Sequence, residues 1–420
     1  MMLKTNRRKR QDATVESQDG AAVSQDGAAV GPQDATGARR APQLKLLRGL
    51  TASYLATNAI IVPFLPIYFG NQGYSPSQIG LLMMLGPFLS IFAQPFWGFV
   101  SDRYNTLKRI IALLWIMTVV ASVGVFNSSS YAVTLIFMLA LFFFVYPSTA
   151  LLDSLSVRTA AEAGRSYGSI RLWGSVGFAA VALSSGAILP LIGGVEHVAY
   201  LYWGVWAAAL LLLFFLKDEP GTGARLSVRQ LGALLGHKPF LLLLAVSFLI
   251  MVPHRMNDVL FTLHLQELGG TDAMAGLGWA LATLAEIPTF ALLGRFLHRY
   301  QELALLGIAA SLYVVRWLAY AWIDDPVLLI ALQASHMVTF AVFWITGIHY
   351  AVKLAPESMR STALALFSAV FLGLAGIVGG LAGGAIMDQW GGSAMYVAGA
   401  GLSLVAAVGL MAARWRIRVR

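Results

Sequence analysis

Among the side chains that can carry a charge inside otherwise apolar stretches of this sequence, eight are the residues that could do chemistry. An ionisable group at the centre of a bilayer costs about 2.5–3.5 kcal/mol on insertion scales, so it persists where it faces a protein interior or an aqueous path. These residues therefore predict a polar pathway through an apolar molecule. They are Asp153, Arg171, His254, Arg255, Asp258, Glu286, Arg316 and His336.

The elements that must position these residues are membrane-spanning helices. From residue 44 onward, apolar stretches alternate with short polar breaks, and about 20 helical residues cross the roughly 30 Å of bilayer hydrocarbon. We predict an all-α integral membrane protein with twelve transmembrane helices. Their ranges are 46–69, 78–100, 107–127, 131–155, 167–190, 197–216, 240–265, 273–296, 303–322, 327–352, 361–387 and 392–413.

The composition supports this class and excludes others. Of the 420 residues, 58% are hydrophobic and 12% are charged, whereas an ordinary soluble domain is about 25% charged. A soluble enzyme, a disordered protein and a nucleic-acid-binding module are thereby excluded. The sequence has no nucleophile–base set, no phosphate-binding loop, no metal-ligand cluster and no cysteine. We therefore expect no enzymatic activity, no metal and no cofactor.

The apolar stretches divide the chain into five segments. An N-terminal six-helix bundle, 44–216, and a C-terminal six-helix bundle, 240–413, are joined by a polar cytoplasmic linker, 217–239. Residues 1–43 are polar and contain a tandem copy of SQDGAAV, which is typical of a disordered tail because so few apolar residues cannot bury a core. Residues 414–420 form a basic tail.

Lysine and arginine are distributed unevenly among the loops. The breaks after the odd-numbered helices contain neither residue, whereas the opposite breaks and both termini are basic. Basic loops stay in the cytoplasm. We therefore predict a multi-pass plasma-membrane protein (in a bacterium, the inner membrane) with both termini cytoplasmic. The net charge of +9 then reflects orientation, and we expect no nucleic-acid partner.

One short pattern occurs at the same cytoplasmic turn of both halves. GFVSDRYNTLKR follows the second helix, and GRFLHRYQEL follows the eighth. Two six-helix halves with matching turns are expected of a transporter built from two parallel repeats.

The first copy of this pattern resembles the signature between the second and third helices of the major facilitator superfamily. The matching residues are Gly98, Asp102, Arg103 and Lys108, while Asn105 stands where the family usually has a second glycine. Asparagine tolerates left-handed backbone better than most residues, so the turn can survive. We interpret the four matching residues as gating residues, with Asp102 and Arg103 as a charge-linked latch that holds one side closed.

A closer resemblance covers nearly all of residues 44–413. The segments GSIRLWGSVGF, LAEIPTFAL, YVVRW and LQASHMVTFAVFW resemble the phenylpropionate-permease branch, which is related to lactose permease and nucleoside–proton symporters. The resemblance implies a secondary active transporter that couples to protons and binds a small organic solute in a central cavity between the bundles. The proton gradient would drive it, and one chain in the bilayer would contain a complete pathway, so a monomer is expected.

The resemblance also implies roles for individual residues. Asp153 and Arg171, eighteen residues apart, match an acid and an arginine that hold the sugar in lactose permease. Glu286 matches a carboxylate used in substrate and proton linkage. Arg316 and His336, twenty residues apart, match an arginine and a histidine of that family.

One departure from the family bears on proton coupling. Thr339 stands three residues after His336, where lactose permease has a proton-binding glutamate. The proton site must then be another group, or coupling itself is in doubt. Glu286 is the leading candidate, with Asp153 and His336 as the others.

Several of these residues also have a purely structural interpretation. Asp153 and Arg171 could form an ion pair that locks two helices together. Arg255 and Asp258, three residues apart, could pair within one helix, which is the interpretation we favour for them. His336 could be a buried polar group satisfied by a neighbouring helix.

Two further residues are candidate substrate contacts. Asn58 could face the cavity from the first helix. Phe340 follows His336 by four residues, on the same helical face, and a histidine above an aromatic ring would suit an aromatic or sugar substrate. An aromatic stripe is, however, more often packing.

The leading hypothesis is proton-coupled symport of an aromatic carboxylate, such as a phenylpropionate-like acid, by alternating access, with Arg171 and Arg316 available to hold the anion. A sugar or nucleoside symporter, or a multidrug or sugar efflux carrier, is the alternative, in which Asp153 and Arg171 bind hydroxyl groups. A non-transporting receptor or scaffold that uses its repetitive tail to bind a partner is the third.

Overall fold

The computed structural model describes residues 32–163, 165, 167–218, 234–296 and 300–419. Within these ranges the chain is almost entirely helical and has no strand. The first helix begins at Pro32, a residue type favoured in the first helical turn, and Ala, Arg and Gln that follow are good helix formers. The predicted disordered tail, 1–43, therefore differs from the structure over 32–43 and otherwise lies outside the described residues. Most of the predicted linker also lies outside them.

Six helices form the N-terminal half. The start of the second is fixed by a capping box, in which the Ser75 side chain accepts from the Gln78 amide and the Gln78 side chain accepts from the Ser75 amide. The helices are α1 (Pro32–Asn71), α2 (Pro76–Tyr104), α3 (Lys108–Asn127), α4 (Tyr131–Glu162), α5 (Gly168–Ile188) and α6 (Val198–Phe214).

Seven helices form the C-terminal half, because two crossings are each interrupted and the last helix combines the end of one crossing with the whole of the next. A 3-10 segment, Gln333–Met337, joins two helices of this crossing, and in the next one a π-helical segment, Ala369–Leu374, does the same. Such irregular turns within helices often occur at functional sites. The helices are α7 (Lys238–Glu267), α8 (Asp272–Phe296), α9 (Glu302–Trp322), α10 (Pro326–Leu332), α11 (Phe340–Leu354), α12 (Arg360–Ser368) and α13 (Ala375–Val419).

The prediction of twelve crossings is confirmed. Ten helical stretches of the described chain are long and apolar enough to span a bilayer, and α8, with 25 residues, adds another. One of the ten, Thr362–Trp415, has 54 residues, more than twice the roughly 20 that one crossing needs. It breaks at Gly391, whose φ of 81° is left-handed, so it makes two crossings.

The two ends of the helical unit differ in the charge of their loops. The turns after α1, α3, α5, α7 and α9, together with the break at Gly391, contain no Lys or Arg, and we call this end the neutral side. The opposite end, which carries the α2–α3, α4–α5 and α11–α12 turns, is called the basic side. The α2–α3 turn contains Asn105 in the left-handed region, with φ of 49°, as expected from the sequence.

The two halves approach each other most closely near the neutral side. Gly80 of α2 lies against the backbone carbonyl of Gly380 in α13, and Gly276 of α8 lies against that of Ala182 in α5. A side chain at either Gly80 or Gly276 would overlap the facing backbone, and small residues are what allows such contact between membrane helices. The neutral side is therefore closed in this structure.

Candidate functional site

The predicted central cavity is present at mid-depth between the two halves, with a volume of about 360 Å³. This volume is within the range of about 300–1,000 Å³ found for small-molecule sites. Both halves contribute polar and aromatic side chains to its wall. Among them are Asn58, Tyr146, Arg171, Phe178, His254, Arg255, Asp258, Trp279, Glu286, His336 and Phe340.

Glu286 and His336 contact each other in the wall of this cavity. Glu286 comes from α8 and His336 from the 3-10 segment Gln333–Met337. Oε1 of the glutamate is 3.1 Å from Nε2 of the histidine, and their side chains are only 14% and 5% exposed. Two predicted site residues that lie 50 positions apart in the chain are thus brought together.

Arg316 lies behind this pair and does not line the cavity. Its Nη1 is 3.0 Å from Nδ1 of His336. Because a guanidinium can only donate, Nδ1 must accept, and the ring proton of His336 is assigned to Nε2, where it points at Glu286. His336 is therefore a hydrogen-bond donor to the carboxyl group.

Two further hydrogen bonds hold the guanidinium of Arg316, whose buried Nε has no partner among the described residues. Nη1 donates to the Thr339 hydroxyl at 3.0 Å, and Nη2 donates to Oε1 of Gln333 at 2.8 Å. The guanidinium stands 4.9 Å from the ring centroid of Trp317, within cation–π range. Thr339, which replaces the glutamate of the related family, thus serves as an acceptor for this buried cation.

A second polar cluster lies on α7, directly after Pro253. Arg255 donates to Asp258 at 2.6 Å, so the predicted local pair is confirmed. His254 has its Nδ1 3.1 Å from the Tyr313 hydroxyl, and its ring stacks on Phe340 with centroids 4.8 Å apart.

This α7 cluster is among the charges of the pathway predicted from the sequence, but no substrate or proton role was predicted for it. His254, Arg255 and Asp258 all line the cavity. The available signal was three charged or titratable residues within five positions of an apolar helix, directly after a proline.

The N-terminal half separates the two members of its predicted pair. Asp153 does not line the cavity, and it accepts a hydrogen bond of 2.7 Å from the Tyr167 hydroxyl. Arg171 is exposed and lines the cavity. No ion pair within 4.0 Å joins these two described residues, because Tyr167 supplies the partner of the carboxyl group.

The two remaining candidate substrate contacts both reach the cavity. Asn58 lines it from α1. Phe340 lines it from α11 and packs against His336 as well as His254, with centroids 5.2 Å from the former. The substrate roles of both stay predictions.

The residues predicted to gate the cytoplasmic turn are not joined in a latch in this state. Asp102 and Arg103 are exposed, and no described side chain pairs with either. Gly98 faces open space. The acid that does hold this turn is Asp218, which accepts from the Lys108 amide at 3.0 Å and from Thr106.

No group of three or more His, Cys, Asp or Glu within the described ranges could hold a metal ion.

The sequence relationships decide the family. The profile of the MFS_1 like family matches residues 47–398. The chain belongs to this family. The maltose permease of Geobacillus stearothermophilus is 35% identical over 345 residues, which cover 80% of this chain and 86% of the permease. The probable 3-phenylpropionic acid transporter of Escherichia coli is 26% identical over 336 residues, 76% of this chain and 85% of that protein.

Solved structures give the same fold. The crystal structure of the nucleoside transporter NupG matches with a TM-score of 0.77 at 19% identity, covering 88% of this chain and 98% of NupG. The predicted fold of two six-helix bundles and the predicted superfamily are confirmed. The protein is a multi-pass membrane transporter that acts on small molecules, and its relatives are permeases and not enzymes.

Proposed function

We propose that this transporter is a proton-coupled symporter for a sugar, with di- or oligosaccharides of the maltose type as the first substrates to test. The similarity to a maltose permease over 86% of that protein supports the substrate class. The cavity has the volume and the mixture of aromatic and hydrogen-bonding side chains that suit such a ligand. The observation that carries the coupling is the buried contact of 3.1 Å between Glu286 and His336.

The charges in the wall support reversible protonation at Glu286. Asp258 is neutralised by its own pair with Arg255. Glu286 has no arginine or lysine within 4.0 Å among the described residues and meets only the imidazole of His336. One of its oxygens accepts from His336, and the other is free to take a proton from the cavity without disturbing that contact.

Alternating access follows from the two-bundle architecture. The bundles rock about the central cavity, so that the glycine contacts of the neutral side open while the basic side closes. Adding or removing one buried charge at Glu286 changes which arrangement is stable, since desolvating an unpaired charge is costly. Loaded and empty carriers then differ in the face that they open.

An aromatic carboxylate is the second candidate substrate. Arg171 lines the cavity and is exposed, and no acidic side chain lies within ion-pair distance of it among the described residues. A cation without an acidic partner suits a carboxylate ligand, as in the relative named for 3-phenylpropionic acid.

One flux experiment separates these substrates. The purified protein is reconstituted into deenergised, lightly buffered vesicles, and external pH is followed after addition of maltose, 3-phenylpropionate or the methyl ester of that acid, with protein-free vesicles as the blank. Alkalinisation by maltose is the expected result. Alkalinisation by the acid and not by its ester would show that the substrate is an aromatic carboxylate. Substrate uptake with no pH change would show that transport is not coupled to protons.

Orientation and assembly complete the proposal. We infer that the basic side faces the cytoplasm of a plasma membrane, because the turns of the neutral side contain no Lys or Arg while basic residues such as Arg103, Lys108 and Arg165 lie at the other end. We also infer that the carrier acts as a monomer. The chain has no cysteine, so single cysteines at Ser129 and Arg165 report the two sides directly. An impermeant maleimide added to whole cells should label Ser129→Cys and leave Arg165→Cys unlabelled. The opposite pattern would show that the basic side faces outward.

A further inference from the structure

A second cavity, of about 250 Å³, forms a groove between α9 and α13 at their basic-side ends. Its floor is apolar and includes Gly307 and Leu410. Its rim is exposed, with Ile308 at 56% and Met411 at 54%. The groove therefore opens away from the central cavity, toward the surroundings of the helical unit, where the lipid lies.

The length of the groove matches one leaflet of a bilayer. Along α9 it runs from Leu303 to Leu312, nine helical steps of about 1.5 Å each, or about 13 Å. Half of a bilayer's hydrocarbon is about 15 Å thick. A single acyl chain can therefore lie along the whole groove.

The end of the groove near the membrane surface carries a cation with unused hydrogen-bonding capacity. Arg414 lines this end, and its Nε is buried with no hydrogen-bond partner. Glu302, the acid at the start of α9, already pairs with Lys353, whose Nζ is 2.8 Å from the glutamate Oε1. No described acid forms an ion pair with Arg414, so a headgroup phosphate would meet an unpaired guanidinium and bind it with charge-assisted hydrogen bonds.

The neighbouring residue supports an interfacial depth for this cation. Trp415 is 67% exposed, and tryptophan is enriched at the level of lipid headgroups. Arginines also stand at positions 416, 418 and 420 of the sequence, so this end of the chain attracts negative charge.

We propose that the groove between α9 and α13 binds one anionic phospholipid, with an acyl chain along Gly307 and the headgroup phosphate on Arg414. The negative headgroup complements a basic helix end, and the chain fills an apolar channel of matching length. The lipid would join α9, which also carries Arg316, to the last helix of the transporter.

Competition between lipids tests the proposal. The full-length protein, delipidated in detergent, is mixed with equal amounts of phosphatidylglycerol and phosphatidylcholine that have identical acyl chains, and bound lipid is counted by native mass spectrometry. Phosphatidylglycerol should be preferred about fivefold, the factor expected of one basic residue beside an anionic lipid. Equal binding of the two lipids would overturn the proposal.

Two variants assign the site. Arg414→Gln should remove the fivefold preference, and Arg360→Gln, an arginine of the same half whose side chain is 49% exposed, should keep it. Gly307→Leu should lower the binding of both lipids, because the nearest atom to an added Cβ is Leu410 Cβ at 3.9 Å and the new side chain extends into the groove. The matched control is Gly204→Leu in α6, where an added Cβ has no atom within 4 Å.

The basic tail is tested in the same assay. A chain that ends at Trp415 should keep the preference for phosphatidylglycerol. If the preference is lost in this truncation and kept in Arg414→Gln, the headgroup binds the tail and the proposed site is wrong. Gly307→Ala, a smaller change, replaces Gly307→Leu if the latter fails to elute as a single folded species.

Discussion

The Nε2 atom of His336 lies 3.1 Å from Oε1 of Glu286, on the wall of a cavity between two helical bundles. The Nδ1 atom of the same ring lies 3.0 Å from Nη1 of Arg316. The histidine is therefore held as a donor to the carboxyl group, and its second nitrogen is occupied by a fixed cation. We propose that in this arrangement Glu286 exchanges a proton with the cavity, while His336 orients the carboxyl group.

We expect Glu286→Gln to separate substrate movement from proton movement. A glutamine oxygen can still accept from His336 Nε2, so the wall stays intact, but the side chain cannot ionise. Substrate-driven alkalinisation in deenergised vesicles should disappear, while exchange of labelled for unlabelled substrate across the membrane continues. Both fluxes are measured on the same vesicle preparation.

Glu357→Gln is the matched control for this variant. The Glu357 side chain is 87% exposed at the basic side, so replacing its carboxyl group by an amide should leave both fluxes unchanged. Loss of exchange together with alkalinisation in a folded Glu286→Gln protein would indicate that Glu286 binds substrate and does not carry the proton alone.

The elements of the fold could be predicted from the sequence because lipid imposes a strict length rule on apolar helices. The interruptions inside the crossings could not. Gln333–Met337 and Ala369–Leu374 contain no proline, so nothing in their sequence marks the departure from α-helical geometry. The break at Gly391 fell between two predicted helices, where a Gly-Gly pair was already visible.

The candidate site was partly predictable for a related reason. A carboxylate or arginine in an apolar stretch must face a polar interior, which placed Arg171, Glu286 and His336 in the site. Which of these residues reach the cavity depends on helix rotation and side-chain length, which the sequence does not reveal. Asp153, for example, accepts a hydrogen bond from Tyr167 and does not line the cavity. The pair Arg255–Asp258 was correctly predicted as a local contact, yet its exposure to the cavity depends on the neighbouring helices.

Arg316→Lys should destabilise the protein even though the positive charge remains. The guanidinium donates to His336, Thr339 and Gln333 at once, whereas an ammonium is a point charge that cannot reproduce this planar fork. Each buried acceptor left without a donor costs about 1–3 kcal/mol. The apparent melting temperature in detergent should therefore fall by several degrees.

Arg171→Lys provides the comparison for this substitution. Arg171 is exposed to the cavity, so its replacement should leave the melting temperature near that of the native protein while weakening the binding of a carboxylate substrate. Equal melting temperatures for the Arg316 and Arg171 variants would show that the buried hydrogen bonds contribute little.

Gly80→Leu should prevent closure of the neutral side. A side chain at this position would overlap the backbone of Gly380, so the bundles must separate there. Val259→Cys, at a cavity-lining position on the neutral-side half of α7, serves as the reporter in this cysteine-free chain. Its labelling by an impermeant maleimide added to the neutral side should rise strongly in Gly80→Leu and stay low in Gly401→Leu, since Gly401 faces open space. Unchanged labelling would mean that the closed state tolerates the clash.

Asp218→Ala should loosen the turn between α2 and α3. The carboxylate accepts from the Lys108 amide at 3.0 Å and from the Thr106 hydroxyl, and it lies 3.8 Å from Arg109. It thereby caps α3 from the segment that follows α6, and loss of a cap costs about 0.5–2 kcal/mol. The apparent melting temperature should drop, and labelling of a cysteine at Thr106, a buried position, should become faster. Asp324→Ala, an exposed acid on the neutral side, should do neither. An unchanged melting temperature for Asp218→Ala would indicate that water replaces the carboxylate as the cap, and that the segment after α6 is held to this bundle by other contacts.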